Sequence, residues 1–497
     1  MARMTEETSA NTGIPEPGEN HRWWVLAVVG LAQLMVVLDA TIVNIALPSA
    51  QRDLGFTDAN RQWVVTAYAL AFGSLLLLGG RIADLVGRRR VFLIGLVGFS
   101  VASAVGGASP DFGVLVTARA LQGAFGALLA PAALSLLTTT FTDSKDRAKA
   151  FGIYGAIAGT GGAVGLLLGG LLTEYLDWRW CLYVNLVLAV IAFIGGMRLL
   201  HAGAPANPPK LDIPGTILVS LGLFGLVYGF SNAESHPWST FATWGFLLAG
   251  VILIALFAWW QSRAEHPVLP LRVVLDRNRG ASFLGMFIAG AGMFGVFLFL
   301  TYYLQQSLNY SPVLTGVAFL PLVGVMIITS VAATNQLVPR FGAKPIVPVG
   351  MLLGAGGMVW FTALDLHSSY AANVLPPLLL LGLGMGLIFA PAMSLATAGV
   401  EPHDAGVASA MVNTSQQVGG SIGTSLLNTL ATSAATAYLV GRQHTVAELA
   451  QSQLHSYSTA YWWSAGFFLF GMVVCGLLYP AGKPAVYATD DNAPVHM

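Results

Sequence analysis

Long apolar runs separated by short polar stretches dominate the chain, and their lengths suit helices that cross a bilayer, which takes about 20 mainly apolar residues. Such runs lie near 23–49, 62–80, 91–109, 112–141, 148–173, 180–200, 212–232 and 243–262. Six more lie near 281–306, 312–334, 346–364, 373–399, 405–432 and 461–479. The pattern predicts an all-α polytopic membrane protein with fourteen spans. No charged residue falls between Arg279 and Arg340, so the polar "SLNYSP" around Asn309 and Pro312 is expected to turn span 9 into span 10. The stretch 433–460 is expected to be the longest loop, too short for a folded domain. The first apolar run is too long for a signal-peptide core, so span 1 is expected to stay in place.

Composition narrows the class. The 497 residues are 55% hydrophobic and 9% charged, with a mean hydropathy of +0.70, against about 25% charged residues in soluble domains. Net charge is zero and no basic run is interleaved with aromatics, which argues against nucleic acid as a partner. Cys181 and Cys475 fall in separate apolar spans, as two small buried hydrophobes would. All nine histidines lie outside the predicted spans, which argues against intramembrane haem or a histidine metal site. No G-x-x-x-x-G-K-[ST] loop is present, so no nucleotide or other cofactor is expected and a proton gradient is the natural energy source.

Basic residues sort by side. Arg81, Arg88, Arg89, Arg90, Lys145, Arg147, Lys149, Arg198, Lys210, Arg263, Arg272, Arg277, Arg279, Arg340 and Lys344 all follow even-numbered spans. The opposite loops hold Arg52, Arg61, Arg179 and Arg442. Because Lys and Arg concentrate in cytoplasmic loops, both tails, 1–22 and 481–497, are expected in the cytoplasm.

The chain also repeats itself. "GALLAPAALSLL" (126–137) matches "GLIFAPAMSLAT" (386–397) at an offset of 260, and "GGAVG" (161–165) matches "GGSIG" (419–423) at 258. A fainter match joins 80–95 to 335–350 at 255. Similar offsets joining equivalent spans argue for a duplicated six-helix half, 23–200 and 281–480, around a two-helix insertion at 201–280.

Ionisable residues within a membrane are costly and mark function. Asp39 in "MVVLDATIVNIALPSA" and Arg119 in span 4 stand inside apolar runs, about 14 Å and about 10 Å from the same face at helical rise. Their depths agree, so a direct contact, or one through water or Gln122, is expected. In "GGRIADLVGRRR", Gly80 and Gly87 permit a tight turn beside Asp84 and Arg88, a pattern that exceeds what topology alone requires. Gly161, Gly165 and Gly169 recur every four residues and make one flat face for close helix approach. Polar residues that would draw contacts in a central cavity are Gln33, Asn44, Tyr68, Gln122, Tyr302, Gln305, Asn413 and Gln416.

These segments resemble the major facilitator superfamily, and within it the fourteen-span drug:proton antiporters. "LDATIVNIALP" (38–48) is similar to that branch's span 1 signature, "GRIADLVGRRR" to the superfamily's loop 2–3 motif, "RALQG" (119–123) to its span 4 motif, and "DWRWCLYVN" (177–185) to the branch's entry to span 6. The sequence departs at Leu166, where the family has proline, and at Phe125, where it has glycine. The resemblance implies a major facilitator fold of 6 + 2 + 6 spans in a bacterial cytoplasmic membrane, working as a monomer that exports small, largely apolar drugs against protons by alternating access. It implies a protonation site at Asp39, a proton-transfer partner in Arg119, and a conformational latch in Asp84 and Arg88. An importer or lipid transporter of the same fold, and a membrane sensor or enzyme that transports nothing, are the rival expectations.

Overall fold

The computed structural model describes residues 19–58, 60–141, 144–200, 212–232, 240–400, 405–443 and 445–482. Among them there is no strand, and the helices follow the apolar runs. The first six are α1 (Glu19–Leu54), α2 (Gln62–Val86), α3 (Arg88–Gly107), α4 (Phe112–Thr140), α5 (Ser144–Tyr175) and α6 (Trp180–Leu199). The inserted pair is α7 (Ile213–Asn232) and α8 (Phe241–Gln261), and a short α9 (Leu271–Leu275) leads into the second set. That set is α10 (Arg277–Tyr302), α11 (Pro312–Ala332), α13 (Ala343–Phe361), α14 (Leu375–Thr397), α15 (Ala405–Leu439) and α16 (Val446–Leu478), with the one-turn α12 (Val338–Phe341) between α11 and α13.

Among the described residues, twelve helices are long and apolar enough to cross a membrane. The two remaining long helices are α5 and α15. In α15 a run of Asn413, Thr414, Ser415, Gln416 and Gln417 lowers the apolar content, although the helix is 35 residues long.

The packing repeats. In the first set α4 holds α2 and α3, α1 holds α5 and α6, and α3 also meets α6. In the second, α14 holds α11 and α13, α10 holds α15 and α16, and α13 meets α16. Glycines reproduce the correspondence: Gly161 lies on Leu34 and Val37 of α1, whereas Gly419 and Gly423 lie on the Phe287 and Ala291 backbones of α10. The two sets meet along two seams, α2 on α15 and α5 on α11. The insertion breaks this symmetry, because α7 touches both α2 and α15 and so runs along one seam. Its foot is fixed by Asp212, whose carboxylate accepts from Trp260 Nε1 and Gln261 Nε2, both at 2.7 Å.

Two turns follow from backbone freedom. Gly87 adopts φ 104° where α2 passes directly into α3, and Asn309 adopts φ 55° in the turn between α10 and α11. The expected loop at 433–460 is corrected: α15 runs on to Leu439 and α16 begins at Val446. The physical reason is a helix start written in polar residues, since Thr445 caps α16 by accepting from the Glu448 N–H at 3.3 Å. Helical structure therefore extends well past the apolar run.

Candidate buried charge site

The centre of the first helix set is a closed polar cluster. Asp39 on α1 is fully buried, and Arg119 on α4 is 1% exposed. Arg119 Nη1 donates to Asp39 Oδ2 at 2.6 Å and to Gln122 Oε1 at 3.0 Å, while its Nε donates to the Val64 carbonyl at 3.1 Å. The guanidinium lies over the Tyr68 ring at 4.5 Å. Asp39 Oδ1 accepts from Gln122 Nε2 at 3.0 Å and from Asn185 Nδ2 at 2.7 Å. A buried ion pair persists only when its remaining valences are met, and here two amides and a carbonyl complete the set.

Ser103 on α3 completes the second layer. Its hydroxyl donates to the Leu182 carbonyl at 2.8 Å and accepts from Gln122 Nε2 and Asn185 Nδ2, each at 3.0 Å. Helices α1, α2, α3, α4 and α6 thus all contribute. Small residues permit this convergence: Gly123 lies against the Tyr68 carbonyl on α2, and a Cβ there would collide with it.

The glycine face of α5 packs on α1 along the same stretch that carries Asp39. A Cβ on Gly161 would meet Leu34 and Val37 at 3.2 Å, one on Gly165 would strike Thr41 Oγ1, and one on Gly169 would meet the Ile42 carbonyl at 2.9 Å. Phe125, where the family pattern has glycine, is accommodated by Gly98, which has no side chain to oppose its ring.

The predicted cavity residues divide. Gln122 is fully buried within the Asp39 cluster and Tyr68 is 2% exposed beneath Arg119. Gln33 accepts from the Tyr154 hydroxyl at 2.7 Å, and Asn44 donates back to the Ala40 carbonyl of its own helix. Asn413 and Gln416 are partly buried on α15. Tyr302 and Gln305 join the two sets: the Tyr302 hydroxyl donates to Gln51, and Gln305 Nε2 donates to the Ile45 carbonyl at 3.1 Å. Gly80 faces Pro131 at 3.6 Å, and Arg88 opens α3. The Asp84 side chain lies outside the described ones, so the expected latch has no geometry to report.

Sequence reasoning missed three participants. Asn185 and Ser103 escaped because helix rotation, which turns them towards Asp39, leaves no mark in the linear sequence. Arg61, read as a loop residue, is 2% exposed. Its guanidinium lies over Tyr302 at 4.3 Å and Phe299 at 5.4 Å, and its Nε donates to Asn428 Oδ1 at 3.2 Å. Gln453 adds a bond from α16 to Asp58 at 3.1 Å. The two sets are therefore tied at the end that holds Pro48, Arg61 and Tyr302. Among the described residues no cluster of His, Cys, Asp or Glu suits a metal ion.

Comparison with known proteins decides the family. The profile of the Major Facilitator Superfamily matches residues 29–424. The chain belongs to this superfamily. It is 50% identical over 492 residues to the puromycin resistance protein pur8 of Streptomyces alboniger, covering 98% of this chain and 97% of that one. It is 39% identical to the cephamycin export protein CmcT of Amycolatopsis lactamdurans, over 82% of this chain and 84% of that one. The fold is that of a bacterial homologue of the lysosomal transporter Spinster in an inward-facing, unoccupied conformation, with a TM-score of 0.66 at 15% identity, covering 93% and 98% of the two chains. This superfamily member is a multi-pass membrane transporter of small molecules, not an enzyme, and its near relatives are antibiotic resistance and export proteins.

Proposed function

We propose that the transporter exports antibiotic-like, largely apolar compounds across the bacterial cytoplasmic membrane in exchange for protons, as a monomer with both termini in the cytoplasm. The observation that carries the reading is the Asp39–Arg119 pair, a titratable acid sealed inside one helix set at 0% and 1% exposure. A carboxylate placed there at the cost of desolvation is expected to exchange a proton as part of the cycle. The glycine contact of α5 on α1 lets that exchange move the helix that borders the α11 seam. Alternating access would then be a rocking of the two six-helix sets.

With the termini inside, the tied end carrying Arg61, Tyr302 and Asn428 faces outward, and the arrangement is closed to the exterior. Asp39 accepts three hydrogen bonds from protein donors, so it has little left to offer a cationic substrate. Its counterpart at the repeat offset of 258 is Phe297, packed on Phe319 with ring centroids 5.2 Å apart. Favoured substrates should therefore be neutral or singly charged with large apolar surfaces, and rigid dications poor ones. The relatives' names make puromycin the first compound to test. In inverted membrane vesicles, an interior-acid pH gradient is expected to drive puromycin accumulation that collapses with a protonophore. Accumulation only under the opposite gradient would make the protein an importer and reject the proposal.

A further inference from the structure

The hydrogen-bond inventory around Asp39 leaves two side-chain oxygens without a partner. Each of the two amide nitrogens, Gln122 Nε2 and Asn185 Nδ2, spends both hydrogens, one on Asp39 Oδ1 and one on Ser103 Oγ. Ser103 spends its own hydrogen on the Leu182 carbonyl and both lone pairs on the amides. Gln122 Oε1 is held by Arg119 at 3.0 Å. They are the Tyr68 hydroxyl, on the ring beneath Arg119, and Asn185 Oδ1, the one amide oxygen of the two, which belongs to a fully buried residue and takes no hydrogen bond. An unsatisfied buried amide oxygen is costly and calls for an explanation.

The chemistry of the cycle supplies one. With Arg119 on Oδ2, a proton arriving at Asp39 adds to Oδ1, and the new O–H then faces two amide N–H groups and no acceptor. One amide has to turn over. Gln122 cannot do so without releasing Arg119, whereas Asn185 brings an oxygen that nothing holds. We propose that Asn185 is a positioning residue for the proton site: oriented by Ser103, it donates to Asp39 when that group is ionised, and it turns its amide to accept from it when protonated. The reaction balances, since the proton comes from hydronium on the outer side, forms the Asp39 O–H bond, and returns to water on the cytoplasmic side once the two sets have rocked. After the turn Asn185 Oδ1 faces Ser103, whose hydroxyl can rotate from the Leu182 carbonyl to donate to it. This inference rests on the proton-exchange reading above. The other titratable groups around Asp39 are Arg119 on α4, Tyr68 on α2 and Cys181 on α6.

Infrared difference spectra of the purified transporter in lipid, recorded against pH, test it without requiring transport. The Asp39 carboxyl band is identified by its absence in Asp39→Asn. Hydrogen bonds to an ionised group favour that form, so losing one raises proton affinity. Asn185→Leu is expected to move the band's midpoint up by about one to two pH units and to erase the amide band shift that accompanies protonation. Ser103→Ala should move the midpoint the same way by less, and Ser103→Thr, which keeps the hydroxyl, should restore it. Wild-type midpoints in both Asn185→Leu and Ser103→Ala would overturn this proposal alone. A wild-type protein that exports substrate with no titrating Asp39 band would overturn the proton-exchange reading as well.

Discussion

The two six-helix sets share a packing plan and differ in what they bury. Glycines seat α5 on α1 and α15 on α10 in the same manner, and Pro131 and Pro391 stand within the equivalent α4 and α14. At the depth of Asp39, however, the second set offers Phe297, and the position 260 residues beyond Arg119 is Leu379. Among the described residues its buried polar groups are neutral, among them Thr301, Ser425 and Asn428, beside Tyr457 and Tyr461, with Phe361 tilted against Tyr461 at 5.2 Å. The contacts that let helices approach thus recur in both sets, while the buried ion pair stands where five helices converge to satisfy it. A carboxylate needs donors from its whole surround, so it cannot drift into one half without its partners.

The largest effect on this contrast is expected from Arg119→Met. It strands a fully buried carboxylate and should cost about 3–5 kcal/mol, read as a large fall in thermal stability. Leu379→Met at the repeat position keeps volume and should cost less than about 1.5 kcal/mol. Next come the glycines. Gly165→Ala meets a threonine hydroxyl and Gly423→Ala meets the Ala291 backbone, so both should cost about 1–3 kcal/mol, the second more because backbone yields less. Equal melting temperatures for Gly423→Ala and wild type would undo the packing argument.

Arg61→Ala acts between the sets. It removes the cation over Tyr302 and the bond to Asn428, so the tied end should open more often, with a rise in solvent labelling of a cysteine placed at Gln51. Labelling unchanged from wild type would show that the contact is not a tie. The smallest effect is expected at Asp365, in the exposed turn before α14. The His367 N–H and the Ser368 hydroxyl hold its carboxyl below the ordinary carboxylate range. A depressed folded value means the group adds stability above its unfolded value and loses it as pH falls through the folded one. Hydrogen exchange at the His367 amide should therefore quicken below the usual carboxylate range, and Asp365→Asn should flatten that response.

The all-helical membrane fold and the order of its long helices were legible because bilayer thickness leaves its mark in linear sequence, whereas α5 and α15 fall short of the apolar length that the other twelve long helices show among the described residues. Asp39 and Arg119 were legible for a related reason, since a charge inside an apolar run has few explanations. Asn185 was not, because a single neutral amide in a span costs little on its own and acquires meaning only beside Asp39 and Ser103. Arg61 was hidden by its polar neighbours in "TDANRQW", and the aromatic rings of α10 and Asn428 of α15, all more than two hundred residues away, bring it inside. The start of α16 is written in its capping threonine, Thr445, which lies well before the apolar run begins.

The central claim is that Asp39 couples substrate movement to protons without holding the substrate. The direct measurement sets gradient-driven puromycin uptake beside substrate exchange at equal pH, in proteoliposomes carrying wild type or Asp39→Asn. Asparagine keeps the shape and can accept from Arg119, but it cannot take up a proton in this role. The account predicts that Asp39→Asn loses gradient-driven uptake and keeps exchange. Wild-type uptake by the variant under the pH gradient would contradict it.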